Sequence, residues 1–116
     1  MTTNAAFITP VPRHLQQAAL RHLDAGRKTE ALKALRAESD LPLADAPAAL
    51  ALLADQNLPA TTEDAAALLA DREPVLWAAL VDLLDSGRRR AALGLLRDAT
   101  GVGLVTAQRI TTLLGA

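Results

Sequence analysis

The sequence predicts an all-α protein: a compact bundle of about seven short helices built from a duplicated helix–loop–helix unit. Two observations favour this fold class. Alanine and leucine dominate an apolar fraction of 51%, while aromatic residues make up only 2%. Alanine and leucine are strong helix formers, whereas sheets favour aromatic and β-branched side chains. The other observation is an internal repeat, because residues 87–114 follow the pattern of residues 26–53 at an offset of 61 positions (87 − 26).

Because the two copies lie close together, we expect them to share one core and to form a single domain over residues 13–116. Copy one is assigned to residues 13–54 and copy two to residues 74–114. Residues 55–73 are predicted to be a connector that contains one short helix. Between residues 26–53 and 87–114, ten positions are identical: Gly26/Gly87, Arg27/Arg88, Ala31/Ala92, Leu32/Leu93, Leu35/Leu96, Arg36/Arg97, Leu43/Leu104, Ala46/Ala107, Leu52/Leu113 and Leu53/Leu114.

The N-terminal elements follow from hydrophobic spacing and from helix-ending residues. Residues 1–12 have no period and contain two prolines, so they are predicted to form an extended N-terminal arm. Residues 13–25 carry an apolar stripe at helical spacing. That helix is expected to end at Gly26, because glycine adopts the left-handed conformation without a steric clash. The next predicted helix covers residues 28–38, and the segment 39–42 interrupts it.

A third helix of copy one is predicted to begin near Asp45 and to end near Ala54. Pro47 falls in its first turn, where the missing N–H has no intrahelical partner to lose. Thr106 occupies the position in copy two that Asp45 occupies in copy one. Both residue types are common at helix N-caps, so both are predicted to cap.

Copy two is preceded by a short helix, predicted from residue 61 or 62 to about residue 71. The helix over residues 75–86 is apolar nearly all round, which predicts that it lies at the centre of the bundle. Gly87 is expected to end it as Gly26 ends its counterpart. Helices over 88–99 and about 105–114 complete the copy.

Composition excludes several classes of protein. The chain has no cysteine, which rules out a disulfide framework and a thiolate metal site. The net charge is −1, so no overall electrostatic attraction to nucleic acid or to anionic lipid is expected. The N-terminus lacks a signal-peptide pattern, and no apolar run approaches the ~18 residues that span a bilayer. A cytoplasmic protein without membrane association is therefore predicted.

No group of residues predicts catalysis. His14 and His22 lie eight positions apart, beyond the four-residue spacing of a shared metal site on one helix. Ser39 and Ser86 lie at predicted helix ends, where capping explains them. The carboxylates are dispersed rather than gathered. We therefore predict no enzymatic activity, no metal and no cofactor.

The strongest local charge feature is Arg88, Arg89 and Arg90, accompanied by Arg97 and Arg109. Positive charges at a helix start oppose the helix dipole, which indicates a partner. Three interpretations are open: a solvated face, a site for an acidic protein surface, or a nucleic-acid-binding site that grips phosphates. Acidic residues lie close by, and aromatic residues to stack on bases are lacking.

Two stretches resemble the helix–loop–helix motif in the C-terminal domain of the bacterial ribosomal stalk protein. Copy one is similar to the front half of that motif, and copy two to its back half. The residues that carry the resemblance are Gly26, Arg27, Lys28, Glu30, Ala31, Lys33, Leu35 and Arg36 in copy one, and Leu95, Leu96, Arg97, Ala99, Thr100, Gly101, Gly103, Leu104 and Ala107 in copy two.

In the stalk family this motif recruits translational GTPases through basic residues. The lysines that follow the family's glycine loop are missing here, and the flanking segments are helical instead of β-strands. The resemblance therefore implies a shared helix–loop–helix unit rather than the stalk fold or membership of the ribosome. Carried over by position, it implies a partner-binding surface of Lys28, Lys33, Arg36, Arg88, Arg97, Gly101 and Gly103.

The sequence thus predicts a non-enzymatic protein-interaction module that acts through a basic helix–loop–helix surface. That surface also includes Arg89, Arg90 and Arg109. One alternative is a small nucleic-acid-binding protein that uses Arg88, Arg89 and Arg90. A second alternative is a structural subunit whose Ala/Leu faces drive homo-oligomerisation.

Overall fold

Eight α-helices and one 3-10 turn form the chain between residues 5 and 115, the residues that this computed structural model describes, and no strand occurs among them. The all-α prediction is confirmed. The helices are α1 (Ala5–Ile8), α2 (Arg13–Asp24), α3 (Lys28–Arg36), α4 (Ala46–Ala54), α5 (Thr62–Arg72), α6 (Pro74–Asp85), α7 (Arg89–Thr100) and α8 (Leu104–Gly115), and the 3-10 turn Leu43–Asp45 precedes α4.

The duplication is visible first in how α2 and α6 end. Gly26 and Gly87 have φ values of +76° and +74°. In both copies the residue after the glycine donates its backbone N–H to the carbonyl five positions back, at 2.8 Å in the first and 2.7 Å in the second. This is the Schellman arrangement, which satisfies carbonyls that the helix end leaves free. Both predicted glycine stops are confirmed.

The second repeated device lies at the ends of α3 and α7. Ser39 Oγ donates to the carbonyl of Leu35 at 2.7 Å. At the equivalent positions, Thr100 Oγ1 donates to the carbonyl of Leu96 at 2.6 Å. Two different hydroxyl residues thus make the same bond at the same repeat position, which is strong evidence that the offset of 61 aligns the copies correctly.

Burial follows the same offset. Within residues 26–53 and 87–114, five equivalent pairs are at most 2% exposed in both copies, so the same side chains point inward twice. The alignment of the two copies therefore describes packing as well as helix boundaries. These pairs are Ala31/Ala92, Leu35/Leu96, Leu41/Val102, Ala46/Ala107 and Ala49/Ile110.

The two copies do not share a single core, contrary to the prediction. Buried residues of α2, α3 and α4 form one hydrophobic cluster, and those of α5, α6, α7 and α8 form another. The molecule is accordingly elongated, at 49 × 25 × 21 Å.

The predicted N-terminal arm is a structural part of the fold. Ala5–Ile8 forms one turn of helix, and the Thr9 hydroxyl donates to the carbonyl of Ala5 at 2.6 Å. Ala6 belongs to the first cluster, whereas Ala5 and Ile8 belong to the second. The prediction of an extended arm is therefore wrong for α1, because burial of its apolar side chains in both clusters stabilises the turn. Residues 1–4 of the predicted arm lie outside the described residues.

The predicted connector is likewise part of the repeat. Its short helix is confirmed as α5, but Ala65 and Leu69 of this helix lie in the second cluster. At the offset of 61, Ile8 corresponds to Leu69, and both are fully buried. Helix α1 packs against α4 as α5 packs against α8, and α1 also packs against α5. The repeated unit therefore has four helices: the first unit comprises α1–α4 and the second unit α5–α8.

Three further predictions need correction. Helix α6 is not central, because only Leu80 on it is fully buried and Val75 is 83% exposed. Thr106 does not cap α8, because this helix begins earlier, at Leu104. Asp45 does occupy the N-cap position of α4, but its side chain makes no capping hydrogen bond. Pro47 lies in the first turn of α4, as predicted.

Candidate interaction surface

Charge is distributed very unevenly between the α7–α8 helix pair and the remainder of the chain. Residues 87–115 contain five arginines and one aspartate, a net charge of +4, so the other residues together carry −5. The overall net charge of −1 conceals this separation. A field of this kind attracts an anionic partner to one side of the protein.

Three of these arginines stand at the start of α7. Arg88 occupies the N-cap position, and Arg89 and Arg90 are the first two helical residues. All three are exposed, and no carboxylate in the described part of the chain forms an ion pair with them. The N-terminus of a helix is already positive, so the cluster concentrates unfavourable charge there. A bound anionic group would relieve it.

Two arginines lie close to Thr112 of α8, one on α7 and one on α8 itself. The guanidinium of Arg89 donates to the hydroxyl of Thr112 on α8. Arg109 is exposed and lies one helical turn from Thr112 on the same helix. Arg89 and Arg109 therefore flank Thr112 from two different helices, an arrangement that the sequence did not predict.

Arg90 and Arg97 lie seven positions apart on α7, so they share one side of that helix. Both are exposed, whereas Ala92 and Leu96 on the opposite side are fully buried. The two arginines extend the positive surface along the length of α7.

A shallow groove of about 400 Å³ lies beside Arg109, between the start of α5 and the outer face of α8. Within it Val105 is 47% exposed and Leu113 is 37% exposed. Its wall from α5 contains Glu63. The groove combines apolar surface with an arginine, and its complete lining is Thr62, Glu63, Val105, Gln108, Arg109, Thr112 and Leu113.

The basic residues predicted in copy one are differently placed. Lys28 begins α3 and is exposed. Lys33 Nζ lies 3.8 Å from Glu30 Oε1 on the same helix, an exposed pair that contributes little to stability. Arg36 Nε donates to the carbonyl of Leu41 at 3.0 Å. Among residues 5–115, no hydrogen bond or ion pair joins these three to the arginines of copy two.

The two predicted glycines belong to the junction between α7 and α8. Gly101 ends α7, and its N–H donates to the carbonyl of Arg97 at 2.8 Å. Gly103 lies against Asp40 of the first unit: a Cβ atom there would come within 2.3 Å of Asp40 Oδ2. The structure therefore places Gly103 at a contact between the two units, and its lack of a side chain permits that contact.

A second groove, of about 730 Å³, lies between α2 and α5. Its walls carry both Arg13 and the carboxylates of Asp64 and Asp71, and amide side chains such as Gln17 contribute much of the remaining polar lining. Its lining has two carboxylates against one arginine, so this groove does not favour an anionic ligand. The sequence did not predict it, because its two walls come from different units.

The other residues considered as candidates make contacts within the fold. His14 Nε2 lies 2.6 Å from Glu38 Oε2 on the exposed surface. Trp77 is half-buried against the second cluster, and Phe7 is half-buried with the guanidinium of Arg72 at 4.1 Å from its ring centre. No group of three or more metal-ligating side chains occurs in the described part of the chain.

No protein-family model, curated protein or solved structure matches the chain. Among residues 5–115, no helix is long and apolar enough to cross a bilayer. The cytoplasmic location stays a prediction.

Proposed function

We propose that this protein is a non-enzymatic interaction module that binds an acidic surface of another protein through α7 and α8. The supporting observation is the net charge of +4 on residues 87–115, where no ion pair between described residues neutralises those arginines. An acidic partner would approach this side and be repelled by the rest of the chain.

The resemblance to the stalk motif supports a recruiting role, because that family uses the same helix pair and its basic residues to bind partners. The motif is divided between the two units here. The arginine-rich half, including Arg97 and the glycine loop, belongs to the second unit, so the proposal concerns that unit.

A protein partner is favoured over nucleic acid. Single-stranded nucleic acid is usually held by aromatic stacking, and the only tryptophan and the only phenylalanine are both half-buried. The phosphates of a duplex would be repelled by the rest of the chain, which carries a net charge of −5. A salt titration with duplex DNA and RNA decides between the two: strong binding that weakens steeply with salt would favour nucleic acid.

Affinity capture from cells tests the proposed function. The wild-type chain is compared with the variant Arg88→Glu/Arg89→Glu/Arg90→Glu, and captured proteins are identified by mass spectrometry. We expect an acidic protein that the wild type captures and the variant loses.

The matched control is Arg13→Glu/Arg21→Glu/Arg27→Glu, which changes the same number of exposed arginines in the first unit. It should retain the partner. Equal capture by the wild type and both variants would contradict the proposal, and light scattering on the purified chain would show whether the basic surface binds a second copy instead.

A further inference from the structure

We infer that the partner presents a short amphipathic, acidic helix, which lies along the groove between α5 and the outer face of α8. This inference rests on the proposed function and specifies its partner. It depends on a feature that the arginines alone do not supply: an exposed stripe on α8 that includes Val105 and Leu113 and borders the groove.

Helix α8 has two distinct faces. One is buried in the second cluster and includes Ala107 and Ile110. The other follows the spacing i, i+3, i+4, i+7 and i+8, which forms a continuous stripe on one side of a helix. Its members, all exposed, are Val105, Gln108, Arg109, Thr112 and Leu113.

The length of this stripe defines the occupant. Val105 and Leu113 are eight residues apart, which corresponds to about 12 Å along the helix axis. A partner helix would contact both with apolar side chains two turns apart, as in other complexes where an amphipathic helix occupies a groove. The groove volume of about 400 Å³ accommodates only a few side chains, so binding is expected to be weak, in the micromolar range or weaker.

Charge complementarity defines the chemistry of the flanks. Arg109 lies in the middle of the stripe, and Arg89 reaches Thr112 from α7. Carboxylates on the matching side of a partner helix would pair with them. Glu63 stands on the α5 wall, so a partner carboxylate facing that wall would be repelled. The two walls therefore favour one orientation of an acidic helix.

The test uses a synthetic fluorescein-labelled peptide of about 16 helix-forming residues. In this peptide two leucines are placed two helical turns apart, and glutamates are placed along one side of the leucine stripe. Binding to the full chain is followed by fluorescence anisotropy at low salt. Two control peptides separate the contributions: one replaces the leucines with serine, and the other replaces the glutamates with lysine. We expect the peptide with both leucines and glutamates to bind, and neither control peptide to bind.

Three variants of the chain locate the site. Val105→Ser/Leu113→Ser removes the apolar contacts and is expected to weaken binding by roughly tenfold or more. Arg109→Glu should lower the affinity for the glutamate-containing peptide and raise the affinity for the lysine-containing peptide. Val75→Ser, at a residue that is 83% exposed on α6, is the matched control and should bind like the wild type. Circular dichroism confirms that each variant is folded.

Failure of this inference can be told apart from failure of the proposed function. Unchanged peptide binding by Val105→Ser/Leu113→Ser would overturn this inference, as would the absence of binding to the wild type. Peptide binding that depends on Arg88–Arg90 but not on the groove would leave the proposed function standing and remove this site. If light scattering shows a dimer that the groove variant abolishes, a second copy occupies the groove and the inference is wrong.

Discussion

Asp40, in the loop of the first unit, caps helix α8 of the second unit through Thr106. Its Oδ2 accepts the backbone N–H of Thr106 at 2.9 Å, and its Oδ1 accepts the Thr106 hydroxyl. Gly103 occupies the N-cap position of α8 and has no side chain with which to cap. A residue 66 positions earlier in the chain therefore supplies the missing acceptor, and its negative charge suits the positive end of the helix.

Replacement of Asp40 by alanine is expected to lower the free energy of unfolding by about 1–2 kcal/mol, because the Thr106 N–H loses its acceptor. Urea denaturation followed by circular dichroism measures this. Asp45→Ala is the matched control, since Asp45 stands at an N-cap without a side-chain hydrogen bond, and its effect should be much smaller. Equal effects of the two substitutions would contradict the capping role of Asp40.

Gly103→Ala should destabilise the protein by about 1–3 kcal/mol, because the new methyl group meets Asp40 Oδ2 at 2.3 Å and the Asp40 carbonyl oxygen at 2.8 Å. In the double variant with Asp40→Ala, the side-chain clash disappears and only the contact with the carbonyl remains. The combined loss should therefore be smaller than the sum of the single losses. Gly94→Ala is the control. Apart from the backbone of its own helix, a Cβ added at Gly94 meets no atom within 4 Å, so this substitution should stabilise α7 by about 0.5–1 kcal/mol.

Gly26→Ala and Gly87→Ala should each destabilise the protein by about 1–2 kcal/mol, and by nearly the same amount. Both residues have a positive φ, and a Cβ at either position meets nothing within 4 Å, so only backbone strain contributes. Gln56 ends α4 with φ of 61°, so Gln56→Gly should act in the opposite direction, with a gain of up to about 1 kcal/mol. Thermal melts of the three variants check the signs.

Ile8→Ala is expected to lower the free energy of unfolding by about 2–5 kcal/mol, because Ile8 is fully buried in the second cluster. An extended arm lying loosely on the surface would predict a far smaller loss. Leu43→Ala is the control, since Leu43 is 69% exposed and its replacement should change stability by no more than about 0.5 kcal/mol. Similar results for the two variants would contradict the assignment of α1 to the core.

Leu35→Val and Leu96→Val test whether the two clusters are separate. Each removes one buried methylene and should lower stability by about 1 kcal/mol. Leu35 lies in the first cluster and Leu96 in the second, so the losses should add to within about 0.5 kcal/mol in the double variant. A larger coupling energy, measured by chemical denaturation, would mean that the clusters behave as one core.

The interior of each unit was largely predictable. Gly26 and Gly87 mark helix ends correctly, because a helix end depends on residues within a few positions of one another. The offset of 61 positions also pairs buried side chains such as Leu35 and Leu96 correctly. The helix over residues 75–86 shows where this approach fails. A helix that is apolar all round is buried only if other helices pack on every side of it. Around Val75 of α6 no described helix covers the side chain, which is 83% exposed.

The candidate surface was predictable in its charges but not in its shape. Arg88–Arg90, Arg97 and Arg109 were identified from composition, and the structure places all five at exposed positions. The groove beside Arg109 was missed, because one wall comes from α5, which the sequence presented as a connector. Lys28, Lys33 and Arg36 were assigned to the same surface by resemblance, yet no hydrogen bond or ion pair between described residues links them to the second unit.

By itself, the sequence determined the class of fold and the internal structure of each unit, since helix propensity, capping and hydrophobic spacing are local interactions repeated twice along the chain. Only the tertiary structure decided how the units meet. The bond from Asp40 to Thr106, the burial of Ile8 in the second cluster and the groove between α5 and α8 join residues far apart in sequence. No local pattern encodes such pairs, because their stability depends on the packing of complete helices against one another.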